Sequence, residues 1–145
     1  MTRGAYKRPE SILVVICTTE GEVLMLRRRN PADFWQSVTG SLRVGETTTA
    51  AAAREVREET GIGAGDRLED LGVENRFRIW PEWRHRYAPG VEYNVEHVLR
   101  LRLLARCPVS LHSTEHMEYR WLPPAEAAAL TGSATNADAI RRFVA

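Results

Sequence analysis

Apolar and polar positions along this chain follow two different rhythms. Ser11 to Thr18 (SILVVICT) is an unbroken, β-branched apolar run, which predicts a strand buried on both faces. Thr19 to Glu22 reads as a turn, and Val23 to Arg28 (VLMLRR) returns from it, so the pair predicts a hairpin. Pro31 to Phe34 is a loop, and Trp35 to Thr39 is short, extended and ended by Gly40. Leu71 to Trp80 and Val95 to Leu104 alternate loosely and predict two further strands, separated by a polar, aromatic loop from Pro81 to Gly90. Tyr119 to Leu122 predicts a last short strand before Pro123-Pro124 breaks the chain. The helical rhythm is clearest from Thr47 to Thr60, where Ala50 to Ala53 favour helix and Gly61 stops it; Pro124 to Leu130 and Asn136 to Val144 predict two more helices. No repeat, linker or low-complexity tract interrupts this order. It predicts one mixed α+β domain, or an αβα sandwich, over residues 1–145.

Composition changes the picture little. With 145 residues and 43% apolar content, the chain can bury a core. A net charge of +1 predicts no nucleic-acid or membrane partner, so any anion site must be local. Lys7 is the only lysine among the twenty basic residues, and arginine suits bidentate phosphate contacts. Cys17 and Cys107 form no CxxC pair, which predicts two buried free thiols and a reducing compartment. The first residues run into a strand-like segment with no long apolar stretch, and no run approaches membrane-spanning length; both predict a cytoplasmic protein.

The chemistry lies between Gly40 and Ile62. Glu55, Glu58 and Glu59 stand at i, i+3 and i+4 of the predicted helix, so three carboxylates share one face while Ala52, Ala53 and Val56 turn toward a sheet. Like charges on one stripe repel, and a hard dication with oxygen ligands offsets that. A solvated acidic face paired with Arg54 and Arg57 is the plainer alternative. Against it stands the full pattern G-x5-E-x7-R-E-U-x-E-E-x-G-U, where U is aliphatic. Gly40, Glu46, Arg54, Glu55, Val56, Glu58, Glu59, Gly61 and Ile62 fill every specified position.

That pattern resembles the Nudix box, and the resemblance implies a Nudix fold: an α/β/α sandwich with a mixed β-sheet carrying a loop–helix–loop metal site. It implies Mg²⁺, with Mn²⁺ as the alternative, held by Glu55, Glu59, Glu58 and a further carboxylate, Glu115. Glu58, Arg54 and Glu115 become the catalytic candidates: Glu58 or Glu115 to order or deprotonate water, Arg54 to orient a box carboxylate. Glu46 would brace the loop, and Gly40 and Gly61 would allow backbone turns.

Segments outside the box (YKRP, SILVVI, VLML, DFWQSVTGS, RHRYAPGV and TEH) resemble a bacterial Nudix subfamily of folate biosynthesis that acts on dihydroneopterin triphosphate. By that resemblance, Lys7, Arg28, Thr39, Phe77, Arg78, Ile79, Trp80, His116 and Ser133 contact the substrate. The partner is then a small-molecule triphosphate, and the oligomeric state stays open. A broad (d)NTP or 8-oxo-dGTP pyrophosphohydrolase is the first alternative. A non-catalytic Nudix domain and an RNA-processing Nudix enzyme are the others; the intact glutamates oppose one and the near-neutral charge opposes the other.

Overall fold

The computed structural model describes residues 6–144. Seven strands and three helices follow the order β1 (Glu10–Thr18), β2 (Val23–Arg28), β3 (Trp35–Gln36), β4 (Val38–Ser41), α1 (Thr48–Thr60), β5 (Leu68–Arg78), β6 (Tyr93–Leu103), β7 (His116–Leu122), α2 (Pro124–Leu130) and α3 (Ala134–Phe143). The sheet is mixed: β1 runs parallel to β6, and all other pairings are antiparallel.

The unbroken apolar run of β1 has a direct consequence. Because side chains alternate across a strand, Ile12, Val14 and Ile16 fill one face while Leu13, Val15 and Cys17 fill the other. The first set packs with Leu24, Leu26, Leu99 and Leu101 under Ala51, Ala52 and Val56 of α1. The second packs with Val23, Met25, Trp35 and Val98 under Ala127 and Ala128 of α2 and Ala139 and Ile140 of α3. Helices on both faces of one mixed sheet make the expected α/β/α sandwich. Small alanines at these contacts bring the helix backbones close to the sheet.

The sheet divides. β1 and β2 pair only at Cys17–Val23, beside their turn. Beyond it, β4 takes the edge of β1 over Ser11–Val14, while β3 pairs with β2 at Leu26 and Arg27. Two arms therefore diverge, joined through Ser37. Asn136 of α3 pins that joint: its Oδ1 accepts from the Ser37 amide at 2.7 Å, and its Nδ2 donates to Ser37 Oγ at 2.9 Å. Asn136 is fully buried.

Several expectations shift in register. The extended Trp35–Thr39 segment is two strands broken at Ser37, because its two halves pair with different partners. The loop from Pro81 contains a short 3-10 turn, Pro81–Arg86. β5 starts earlier than expected, β7 extends back to His116, and α3 starts at Ala134 with Ser133 as its cap. Thr47 caps α1, its side chain accepting from the Ala50 amide, and Gly61 ends the helix at φ 75°, a left-handed conformation that favours glycine. Ala51, not Ala53, joins Ala52 and Val56 against the sheet. Cys17 is buried but Cys107 is only half-buried. No helix among the described residues is long and apolar enough to cross a membrane.

Asn136→Ala leaves the buried Ser37 amide unpaired and removes the clamp on the joint. It should lower unfolding stability by about 2 kcal/mol, measured by urea denaturation; an unchanged midpoint would show that α3 is held by its apolar contacts alone.

Candidate active site

The acidic stripe of α1 is not uniform. Glu58 is exposed and lies 3.4 Å from Arg54 and 3.6 Å from Arg43. Glu55 is half-buried and accepts from Arg54 Nη1 at 2.6 Å. Glu59 is only 2% exposed, and neither of its carboxyl oxygens has a hydrogen-bond partner. These differences follow from helix geometry, because Glu59 lies one turn beyond Glu55 on the side that meets the sheet.

Arg54 organises the loop before the helix. Its Nε and Nη2 each donate to a Glu46 oxygen at 2.8 Å, and Nη2 also donates to the Ser41 carbonyl at 3.0 Å. Glu46 in turn accepts from the Arg43 amide at 2.9 Å. Donation from Arg54 pulls the Glu46 carboxyl down to about 2, against a smaller opposing effect of burial. Arg8 adds a clamp that the sequence pattern does not reveal, donating to the Glu46 carbonyl at 2.8 Å and to Glu10 Oε1 at 2.8 Å.

Gly40 serves this site through space and not through a turn. It lies in β4 opposite Ile12, on the α1 face, and its φ is not positive. A Cβ built there would fall 1.7 Å from Glu55 Oε2. The glycine is required because the Glu55 carboxylate occupies the volume of its missing side chain.

Glu59 meets Glu115 and His116, and ligand atoms of the three lie within 4.8 Å of one another. His116 is 3% exposed, with both ring nitrogens unpartnered and Nε2 3.9 Å from Glu59 Oε1. Burial, with Arg28 and His112 nearby, lowers the His116 pKa to about 4, so the ring is neutral at ordinary pH and supplies no cation to Glu59. Burial also pushes Glu55 and Glu59 well above the carboxylate range, and each is raised further by carboxyl neighbours, Glu58 for Glu55 and Glu55 and Glu115 for Glu59. The Thr39 amide eases Glu59 slightly without a full hydrogen bond. Buried carboxyl oxygens lacking donors are rare in folded proteins. Here they form an oxygen-rich cradle with one neutral imidazole, the donor chemistry a hard divalent cation takes.

Residues 7–143 match the NUDIX domain. The chain belongs to the Nudix family. A dihydroneopterin triphosphate diphosphatase of Escherichia coli K12 is 48% identical over 148 residues, covering 99% of this chain and 97% of its own length. One from Haemophilus influenzae is 35% identical over 143 residues, covering 96% and 89%. The solved structure of the E. coli dihydroneopterin triphosphate pyrophosphohydrolase matches with a TM-score of 0.84 at 48% identity over 97% of both chains. As a Nudix hydrolase, the protein uses a divalent metal and acts on a small-molecule phosphate compound.

Other expected site residues fall in three places. Lys7 lies with Tyr6, Arg43, Arg54, Glu55 and Glu58 along a groove of about 510 Å³ beside the Nudix box. Its amide donates to the Arg86 carbonyl at 2.7 Å, which ties it to the 81–90 loop. Arg28 pairs across strands with His116 at a bulge, which keeps it near the carboxylates. Thr39 pairs with Leu13 and so belongs to the opposite, α2/α3 face. Phe77 shares that face and is 43% exposed.

The remaining residues lie further from the carboxylates or are engaged in packing and capping. Arg78 alternates to the other face from Phe77 and pairs with Glu92 at 3.2 Å. Ile79 is 4% exposed, so its side chain is packing. Trp80 stacks on Trp83, with centroids 5.9 Å apart, on the exterior beyond β5. Ser133 caps α3, its hydroxyl accepting from the Asn136 amide at 3.3 Å. His116 sits among the carboxylates, beside Glu59 and Glu115.

The raised carboxyls give a pH dependence of known sign. Between their unfolded value near 4.5 and their higher folded values, the folded protein holds protons that the unfolded chain has lost. Their contribution is therefore present below the unfolded value and is lost as pH rises through neutrality. Without metal, the melting temperature should fall from about pH 5 to about pH 8, more steeply than that of Glu59→Gln. Saturating divalent ion should flatten the difference; parallel profiles for the two proteins would contradict the assignment.

Proposed function

We propose that the protein hydrolyses dihydroneopterin triphosphate to dihydroneopterin monophosphate and pyrophosphate with Mg²⁺, as a cytoplasmic step of folate biosynthesis, with residues 1–145 as one catalytic unit. The observation that carries this reading is near-full-length identity of 48% to an E. coli protein of that name, over a chain that keeps every specified box residue. The neutral balance of charge supports a small-molecule triphosphate as partner and speaks against nucleic acid.

In this reading Glu55, Glu59 and Glu115 hold Mg²⁺, with Mn²⁺ as a substitute, and the raised, partnerless state of Glu59 supports that choice. Bound there, the cation supplies charge neutralisation at the phosphate oxygens and a more acidic water. The chain's own groups do the rest. Arg54 fixes the Glu55 carboxylate, and Glu46 fixes Arg54. Lys7 faces the same groove and holds a phosphate by a charge-assisted contact. Glu58, exposed beside the groove, accepts the proton of the attacking water, with Glu115 as the alternative acceptor. The water oxygen bonds to phosphorus as the linkage between the α- and β-phosphates breaks, and pyrophosphate leaves. Most of the rate then comes from positioning and electrostatics.

Pyrophosphate release should show a higher kcat/KM for dihydroneopterin triphosphate than for canonical dNTPs or 8-oxo-dGTP. Glu59→Gln should lower kcat by roughly 10²–10⁴. A preference for a nucleotide would move the assignment to a broad pyrophosphohydrolase, and near-wild-type turnover of Glu59→Gln would remove Glu59 from the metal site.

A further inference from the structure

On the α2/α3 face, one end of the sheet is polar where apolar packing is expected. The registers align Thr39 with Leu13, Ser11 with Glu96, Glu96 with Asn75, and Asn94 with Phe77, so these side chains share a face. Leu13 and Val98 on the same face are core; one or two positions further along, Asn94 and Glu96 are buried polar groups at 4% and 8% exposure. Asn94 is satisfied by Ser11, donating to its hydroxyl at 2.8 Å. Glu96 is different. Its carboxylate has only neutral partners, Asn75 Nδ2 at 3.3 Å and the Thr135 hydroxyl, and no cation of the described residues lies within ion-pair distance. A carboxylate buried without a cation is costly to a fold, and four lone-pair directions exceed what two weak donors fill.

The split of the sheet connects this place to the chemistry. Thr39 stands on the β4 arm, with its side chain on the α2/α3 face and its amide toward Glu59. A ligand with its phosphates at Glu55 and Glu59 and its organic end on the other face would have to pass Thr39. There Phe77 offers an exposed ring, and α3 is held over the sheet by the Asn136–Ser37 clamp.

We propose that Glu96 is the specificity-determining residue of this site, accepting through its two carboxylate oxygens the adjacent N–H groups of a 2-amino-4-oxopyrimidine edge. Pterins and guanine carry that edge; adenine and the pyrimidine bases lack it. The proposal rests on the reaction proposed above for the identity of the preferred heterocycle. The edge itself is tested separately. Two parallel N–H···O contacts to one carboxylate match in geometry and are charge-assisted. Burial, which raises the pKa of Glu96, also strengthens the contacts once made.

The experiment compares kcat/KM of wild type and Glu96→Gln on dihydroneopterin triphosphate, dGTP and dATP, with thermal melts as a folding control. Glutamine keeps the size and one acceptor but presents a donor to the second N–H. The substitution should lower kcat/KM about 10- to 100-fold on the pterin and on dGTP, mainly through KM, and leave dATP unchanged. An equal loss on all three, or no loss on any, overturns the proposal. Wild-type protein gives a second test that needs no variant: dITP, which lacks the 2-amino group, should be at least about tenfold poorer than dGTP, and equal rates overturn the assignment. If wild type ignores the pterin yet Glu96→Gln still separates dGTP from dATP, the substrate reading fails while the role of Glu96 stands.

Discussion

Burying the Glu59 carboxyl beside Glu55, with no donor for either of its oxygens, is the constraint on which the site depends. A lone buried carboxylate destabilises a fold unless it takes up a proton or gains a cation. Everything around it maintains that state. Val56, Ala51 and Ala52 seat α1 against the sheet so that Glu59 faces inward. Gly40 gives Glu55 its space, Arg54 holds Glu55 in place, and the neighbouring imidazole stays neutral. The result is a carboxyl cluster whose geometry is set before a cation arrives and whose protons the cation must displace.

The second organising feature is the divided sheet. A sandwich normally separates what lies on its two faces. Because β4 follows β1 while β3 follows β2, the strands part at Ser37, next to Thr39, whose side chain lies on the α2/α3 face. The carboxylates stand on the α1 side, and the polar end with Phe77 and Glu96 stands on the other. One elongated substrate with a charged end and a flat end suits that division.

How much of this was legible in the sequence depends on the reach of each signal. β1, β2 and α1 were readable because their patterns are local: an unbroken β-branched run, its return after a turn, and a helix of strong formers ended by Gly61. The carboxylate stripe was readable for the same reason, since helical spacing places Glu55, Glu58 and Glu59 together. The inequality among them was not, because it depends on which side meets the sheet. Glu115 and His116 came from resemblance, and only the fold brings them to Glu59. The break at Ser37, the reach of Arg8 to the box loop and the burial of Glu96 depend on strand pairing across the chain. Ile79 and Arg78 show the converse: a segment assigned as a unit is split by strand alternation into a packing side chain and one on the opposite face.

The most direct test of the central claim is the number of protons released when Mg²⁺ binds, obtained by calorimetric titration at neutral pH in buffers of different ionisation enthalpy. If Glu55 and Glu59 share a site that demands a cation, binding must displace protons from it. Wild type should release about one proton per site, and Glu59→Gln should release fewer and bind more weakly. Binding of Mg²⁺ with no proton release, and with equal affinity in the variant, would show that the cation sits elsewhere and that the buried carboxylates serve another purpose.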